Sequence, residues 1–422
     1  MSQYRNHIVR NNLTISATNA LYLLCFITIV LVWYGVSLGL SPSLDFVIIG
    51  LTALFIITMN FRNLAHVMFM VGFLVFVVMP VVSIHDLIFI NAELVLSLCF
   101  STLLFLWLTR NCSLPISKVS LSVHPVPILA GVILIALGLI AVVGISGLLV
   151  TPLVLVSFFF LVQGAKFNLG LIMLSMVFAH ITIFGLFLWS GFGRLILASW
   201  LLAALWIFWY RYGIPFGKLI VFAPILGGEY ILAAFGSTRR AFAMREQILT
   251  GSVGSDLSPF LLANDFANSM RSVDVRGLLD QFVLYFLQWV PRMFWPEKPL
   301  GFGFEYTVQN YGPGMVAAGH SIAALHVGEH LYYLNDIGFA TSFLTIMLVA
   351  ASYRFLLKHN ARAPFLAIVF AMYLPTFVWG GMSAFMSRVW VGILIVIFLY
   401  VFIWLLRVFM RSSFGTMGRK SA

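Results

Sequence analysis

The sequence predicts an all-α polytopic membrane protein with about twelve transmembrane helices and one large loop containing short helices. Three observations carry this. Of 422 residues, 62% are hydrophobic and 9% are charged, whereas soluble domains carry roughly a quarter charged residues. The apolar residues fall into runs long enough to cross a bilayer, which takes about 20 residues of helix. One stretch, roughly Gly236–Asn335, breaks this pattern and gathers polar, charged and proline residues.

The spans are expected at about 17–39, 45–60, 65–84, 87–109, 126–143, 148–163, 168–190, 194–211, 216–235, 336–356, 364–386 and 389–410. The fifth and sixth are separated by Gly144-Ile-Ser-Gly147, read as a tight turn. The first apolar run starts near Ala17 and is long enough to span, so no cleavable signal peptide is expected.

Charge sidedness supports this count. With the N-terminus inside, 15 of the 24 Lys and Arg residues fall in cytoplasmic segments, and none of the 13 Asp and Glu residues does. Joining the fifth and sixth spans would turn Arg211, Lys218 and the Arg354–Arg362 cluster outward, against the same rule. Three regions follow: residues 1–235 with nine spans, 236–335 as the outer loop, and 336–422 with three spans and a cytoplasmic tail. The net charge of +11 thus reads as membrane sidedness, not nucleic-acid binding. Cys25, Cys99 and Cys112 lie in or beside apolar segments, so neither a disulfide framework nor a zinc spacing is visible.

The loop is organised around Val290-Pro-Arg-Met-Phe-Trp-Pro-Glu-Lys-Pro299, continued by Leu-Gly-Phe-Gly-Phe-Glu-Tyr306. Prolines at this density preclude a helix and stiffen the chain. The apolar stretch before it, Leu278–Val290, is too short to span and is expected to form an interfacial or re-entrant helix ending at Pro291. The plain alternative for the motif is a solvated basic connection.

Nine basic residues remain on the outer side: Arg194, Arg239, Arg240, Arg245, Arg271, Arg276, Arg292, Lys298 and Arg388. Arginine offers a planar fork suited to phosphate, and outward arginines run against the positive-inside rule. An anionic ligand, best a lipid pyrophosphate, accounts for them. Solvated pairs with Asp256, Asp265, Asp274 and Asp280 are the competing account. His320, His326, Glu329 and His330 follow. His326 and His330 share a helix face at i, i+4. That spacing admits zinc, but the His-Glu-x-x-His order and a clear third ligand are missing. A general base or a hydrogen bond to a sugar hydroxyl fits better, with Glu305 as a further base, and ordinary core packing is the alternative for each histidine. Glu229 and Glu93 are carboxylates within or near spans, candidates for function or helix-to-helix hydrogen bonding.

The proline motif, with Gly303-Phe-Glu305 after it, resembles the outer-loop motif of bacterial O-antigen and related repeat-unit polymerases of the Wzy type. Gly191-Phe-Gly-Arg194, Gly328-Glu329 with Tyr332, Tyr333, Asn335 and Gly338, and Arg388 agree with it. The resemblance implies glycosyl transfer on the periplasmic face of a Gram-negative inner membrane, with both termini cytoplasmic. The substrates it implies are oligosaccharides on undecaprenyl pyrophosphate. It implies no cofactor, metal or nucleic-acid partner, and it admits membrane lipid and a chain-length regulator as partners. In these terms Arg194, Arg239, Arg240, Arg292 and Arg388 stabilise the pyrophosphate leaving group. Glu305, Glu329 and His330 are the candidate bases. Lys298, Trp295 and Tyr306, with Arg276 and His326, hold sugar or phosphate. An O-antigen ligase, using the same donor, and a flippase for the lipid-linked unit are the rival readings.

Overall fold

A computed structural model describes residues 2–39, 43–84, 89–114, 125–143, 147–185, 194–213, 259–317, 322–359 and 365–415. The expected ninth span at 216–235, together with Glu229, Arg239, Arg240, Arg245 and His320, lies outside them. All regular structure among the described residues is helical. The first region holds α1 (Ser2–Ser37), α2 (Leu44–Thr58), α3 (Leu64–Phe73), α4 (Met79–Ile84), α5 (Ala92–Thr109), α6 (Pro125–Val143), α7 (Gly147–Gln163), α8 (Phe167–Ile183) and α9 (Arg194–Tyr212). Then come α10 (Pro259–Asn268), α11 (Val275–Leu287), α12 (Phe302–Tyr311), α13 (Pro313–Ala317), α14 (Leu325–Leu334), α15 (Ile337–His359), α16 (Phe365–Met372) and α17 (Leu374–Gly415).

Among the described residues six helical stretches are long and apolar enough to cross a membrane: Asn19–Ser37, Leu64–Val82, Ala92–Thr109, Leu195–Tyr212, Ile337–His359 and Leu374–Leu394, the last interrupted at Gly381. Leu44–Thr58, Pro125–Ala141, Val150–Gln163 and Phe167–Ile183 are apolar but shorter. The chain is therefore a helical, membrane-embedded protein. Between α3 and α4 the ladder widens into a π turn, Leu74–Val78, just before Pro80. Proline has no N–H for the carbonyl of Phe76, and a π turn absorbs the misfit.

Polar residues knot the helices at the end where α2 meets α3. The Asn63 amide donates to Thr109 O (3.0 Å), and Tyr353 Oη donates to Asn63 Oδ1 (2.9 Å). His66 Nδ1 accepts from Asn60 N (2.9 Å), so its Nε2 carries the hydrogen shared with Thr109 Oγ1 (2.9 Å). The opposite end, here the loop side, carries α10 to α14. There Asn91 N donates to Asn264 Oδ1 (2.8 Å) and the Asn264 amide to Phe89 O (2.9 Å), tying α10 to the start of α5.

The segment expected to hold two spans with a tip near Arg388 is arranged differently. Pro375 ends α16 at Met372, since it cannot donate to the preceding turn. Gly381 has φ +74°, outside the helical range. The chain reverses there. Phe370 and Phe385 have ring centroids 4.9 Å apart, whereas fifteen residues of straight helix would separate them by about 22 Å. A Cβ on Gly392 would strike Val369, residues on the two sides of Gly381. The tip is thus Gly380-Gly381, and Arg388 lies seven residues, about 10 Å, down the return arm.

The second half of the loop also sits deeper than a surface connection. His330 of α14 meets Thr341 Oγ1 (3.2 Å) and Thr345 Oγ1 (3.4 Å), one and two turns into α15. Asn335, at φ +51°, turns α14 back onto that helix, and Gly338 leaves no room for a Cβ beside the His330 carbonyl. Irregular backbone at this depth is tolerated because protein surrounds it.

Candidate functional site

Helices α11, α12 and α14 and the tip at Gly381 converge on two carboxylates. Glu329 is fully buried. Its Oε1 accepts from Tyr285 Oη (2.9 Å) and contacts Ser383 Oγ, and its Oε2 accepts from Met382 N (2.8 Å) and Ser383 N (3.4 Å). The two amides open the return arm of α17, so the carboxyl sits at a helix N-terminus, where unpaired N–H groups gather. Glycine is required at 381 because a Cβ would strike Glu329 Oε2. Burial raises the Glu329 pKa, against the lowering effect of these hydrogen bonds.

Glu305 is half-buried and opens onto a cleft of about 470 Å³ lined by Arg271, Ser272, Asp274, Gln309, Tyr332 and Tyr333. Its Oε2 accepts from Tyr333 Oη (2.7 Å) and from Gln281 Nε2 (3.3 Å), and its Oε1 accepts from Gln309 Nε2 (3.2 Å). Gln281 joins the two sites, since its Oε1 accepts from Phe302 N (3.1 Å) and lies 3.2 Å from Ser383 Oγ. Phe266, Phe302, Tyr306 and Tyr332 form the aromatic floor, with Tyr306 and Phe266 centroids 5.4 Å apart. The Arg271 guanidinium lies 4.5 Å over Phe266 and pairs with Asp265 at 3.4 Å. Tyr285 and Tyr333 are both pushed well above the usual phenol pKa, chiefly by burial, and stay neutral donors.

The remaining candidates occupy distinct settings. His330 is buried, and burial lowers its pKa to about 4. His326, at 2% exposure, stacks on Phe377 at 5.2 Å, neither ring nitrogen has a partner, and burial followed by the His330 charge lowers its pKa to about 3. Both imidazoles are therefore neutral near pH 7. Among the described residues no three His, Cys, Asp or Glu side chains group as metal ligands. Tyr306 is largely buried packing in the floor. The motif Val290–Pro299 is non-helical, as its prolines require. Its cations turn inward on the loop itself. Arg292 donates to Lys298 O (2.8 Å) and Pro299 O (3.4 Å), and Lys298 Nζ to Gln288 O (2.5 Å) and Val290 O (2.9 Å). Trp295 is half-buried in the same turn, and Arg276 is exposed on α11. Arg194 begins α9.

Arg388 stands apart. Its Nη1 donates to Ala384 O (2.5 Å) and Ser387 Oγ (3.3 Å), its Nε is buried without a partner, and no carboxylate pairs with it among the described residues. Sequence reasoning missed Gln281, Tyr285, Gly381 and Ser383. Only Gly380-Gly381, a turn dipeptide inside an apolar run, carried a local signal.

The arrangement offers an accessible carboxylate able to take a proton from a hydroxyl in the cleft, and, within the apolar hairpin, an arginine with a buried nitrogen that has no partner. Comparison with family models, curated proteins and solved structures finds no match to the chain.

Proposed function

We propose that the protein is a membrane-embedded glycosyltransferase that polymerises oligosaccharide repeat units carried on undecaprenyl pyrophosphate. In this reading the chain crosses an inner membrane twelve times and the loop side is periplasmic. The observation that carries it is Arg388, a cation within the apolar hairpin with no carboxylate partner among the described residues. Charge at that depth is costly unless an anion meets it, and a lipid pyrophosphate arrives through the bilayer with the anion attached.

The acceptor hydroxyl enters the cleft and gives its proton to Glu305. Its oxygen attacks the anomeric carbon of the donor glycan, and the bond from that carbon to the pyrophosphate oxygen breaks. Arg388 stabilises the charge that leaves, with Arg194, Arg239 and Arg240 as further donors. Removing one such donor costs on the order of 3 kcal/mol, about a hundredfold in rate. Glu329 and His330, enclosed and partnered, hold the frame.

The test is to express Arg388→Ala and Glu305→Gln in a cell lacking its own copy and to run surface lipopolysaccharide on a gel. Collapse of the ladder to core plus one unit, at unchanged protein level, supports polymerisation. Full ladders from both variants refute the assignment. Loss of the single-unit band too would favour the ligase or flippase.

A further inference from the structure

The proline motif and α11 form a loop that runs down alongside the return arm of α17 and comes back to the level where it began. Gln281, midway along α11, lies against Ser383 near the hairpin tip. Four residues on, the Tyr285 carbonyl accepts the Trp390 indole N–H at 2.8 Å. From Ser383 to Trp390 the arm descends about 10 Å from the tip. After the prolines, Gly301 is back at the starting level, since a Cβ there would lie 3.5 Å from Ser383 Cβ. Entry and exit at one level, with the turn below, is re-entrant geometry.

The exposed side chains of this excursion are apolar. Val283, Phe286, Leu287 and Trp289 are 40–50% exposed, and Met293 and Phe294 are 78% and 74% exposed. An exposed apolar patch of this kind marks an interaction surface. The backbone fits one occupant. In lipid an open carbonyl costs several kcal/mol, and Lys298 and Arg292 close those of Gln288, Val290, Lys298 and Pro299. Arg292 thereby reaches towards the return limb, as a long basic side chain does when its stem is in lipid and its head is not. The other exposed charges are Arg276 and Asp280 on the first half of α11 and Glu297 on the return limb.

We infer that Val283–Phe294 is a re-entrant wedge whose apolar side chains contact the acyl chains of the loop-side leaflet. The inference rests on packing alone and is independent of the proposed glycosyl transfer. The motif's charged residues then close the backbone of a lipid-embedded turn.

The test uses the full chain in lipid nanodiscs with Cys112→Ser, the two remaining cysteines being buried. A nitroxide is attached at Phe294→Cys and, as a water-exposed reference, at Ser272→Cys. Collisions with oxygen and with a nickel chelate are compared by power saturation. The wedge predicts an oxygen-to-nickel ratio severalfold higher at 294 than at 272. Equal ratios overturn it, as does shielding from both reagents, which would show protein covering the patch. Should the 294 label disturb folding, Trp289→Phe gives a second reading. Acyl-chain-brominated lipid should quench a component of the emission that this variant lacks, and identical quenching in both proteins overturns the proposal.

Discussion

Glu329 offers the sharpest test of how this core is held. Ser383 Oγ lies within hydrogen-bond distance of both Glu329 Oε1 and Gln281 Oε1, yet a hydroxyl has one hydrogen. Turning the Gln281 amide does not help, because its Oε1 accepts from Phe302 N and its Nε2 donates to Leu300 O at 2.9 Å. All contacts are met only if Glu329 carries a proton, donates it to Ser383, and Ser383 donates to Gln281. The helix N-terminus favours the ionised form, but burial is the larger influence and favours the neutral one. Glu329→Gln keeps an N–H for Ser383 and an oxygen for the two amides, but its amide nitrogen cannot accept from Tyr285 Oη as the acid does. We expect it to cost about 1–3 kcal/mol, the scale of one buried donor left without an acceptor. Glu329→Ala leaves the Tyr285 hydroxyl and the Met382 and Ser383 amides buried without acceptors. At about 1–3 kcal/mol each this is on the order of 5 kcal/mol. Thermal unfolding of the purified variants in detergent measures both. A glutamine variant as unstable as the alanine one would refute the proton count, and a stable alanine variant would refute the clasp.

Four further outcomes are expected. Gly381→Ala must place a β-carbon at φ +74°, ψ −168° and against Glu329; the backbone strain alone is about 1–3 kcal/mol, so it should unfold well below the parent, and an unchanged midpoint would remove the hairpin tip. His326 and His330 have pKa values lowered to about 3 and 4, so their contribution is complete above the unfolded value near 6.5 and is lost as pH falls towards 4. Glu329, shifted upward, has the opposite sign and loses stabilisation as pH rises through its folded value. Midpoints measured from pH 7 to pH 4 should therefore fall, and His330→Gln should flatten the curve; a parent midpoint constant over this range contradicts neutral, buried imidazoles. Tyr333→Phe removes the 2.7 Å donor to Glu305 and should slow chain extension about tenfold, the rate equivalent of about 1.4 kcal/mol, as read from ladder growth over time.

The sequence displayed the membrane helices plainly, because their signal is local: runs of apolar residues need no partner to be recognised. The end of α11 before Pro291 and the common face of His326 and His330 were legible for the same reason. The hairpin was not. Residues 364–406 form one apolar run with a single charge at Arg388, and a charge is a natural mark for a solvated tip. Here the arginine is inside and the turn falls at Gly380-Gly381, where φ becomes positive and the chain touches Glu329. Gln281, Tyr285 and Ser383 are neutral polar residues in apolar surroundings. Their role comes from contacts 24 to 102 positions away, which no local pattern records.

The outward arginines separate once each partner is identified. Arg271 has Asp265 and two aromatic faces, so the competing account of paired surface charge describes it. Arg292 has two carbonyls of its own loop, and its removal should first loosen that loop. Arg276 is exposed, where an ion pair contributes little. Arg388 combines membrane depth, a buried unpartnered nitrogen and no neighbouring carboxylate among the described residues. A cluster of arginines on one side of a membrane is thus weak evidence for an anion site, because loops use arginine for their own backbone. Among the described arginines, the one that packing leaves uncompensated is the better candidate for an anion. Arg388→Lys is therefore more telling than Arg292→Ala: lysine keeps the charge but loses the fork. If a pyrophosphate is held by that fork, the lysine variant should fold like the parent and still lose most of its ladder.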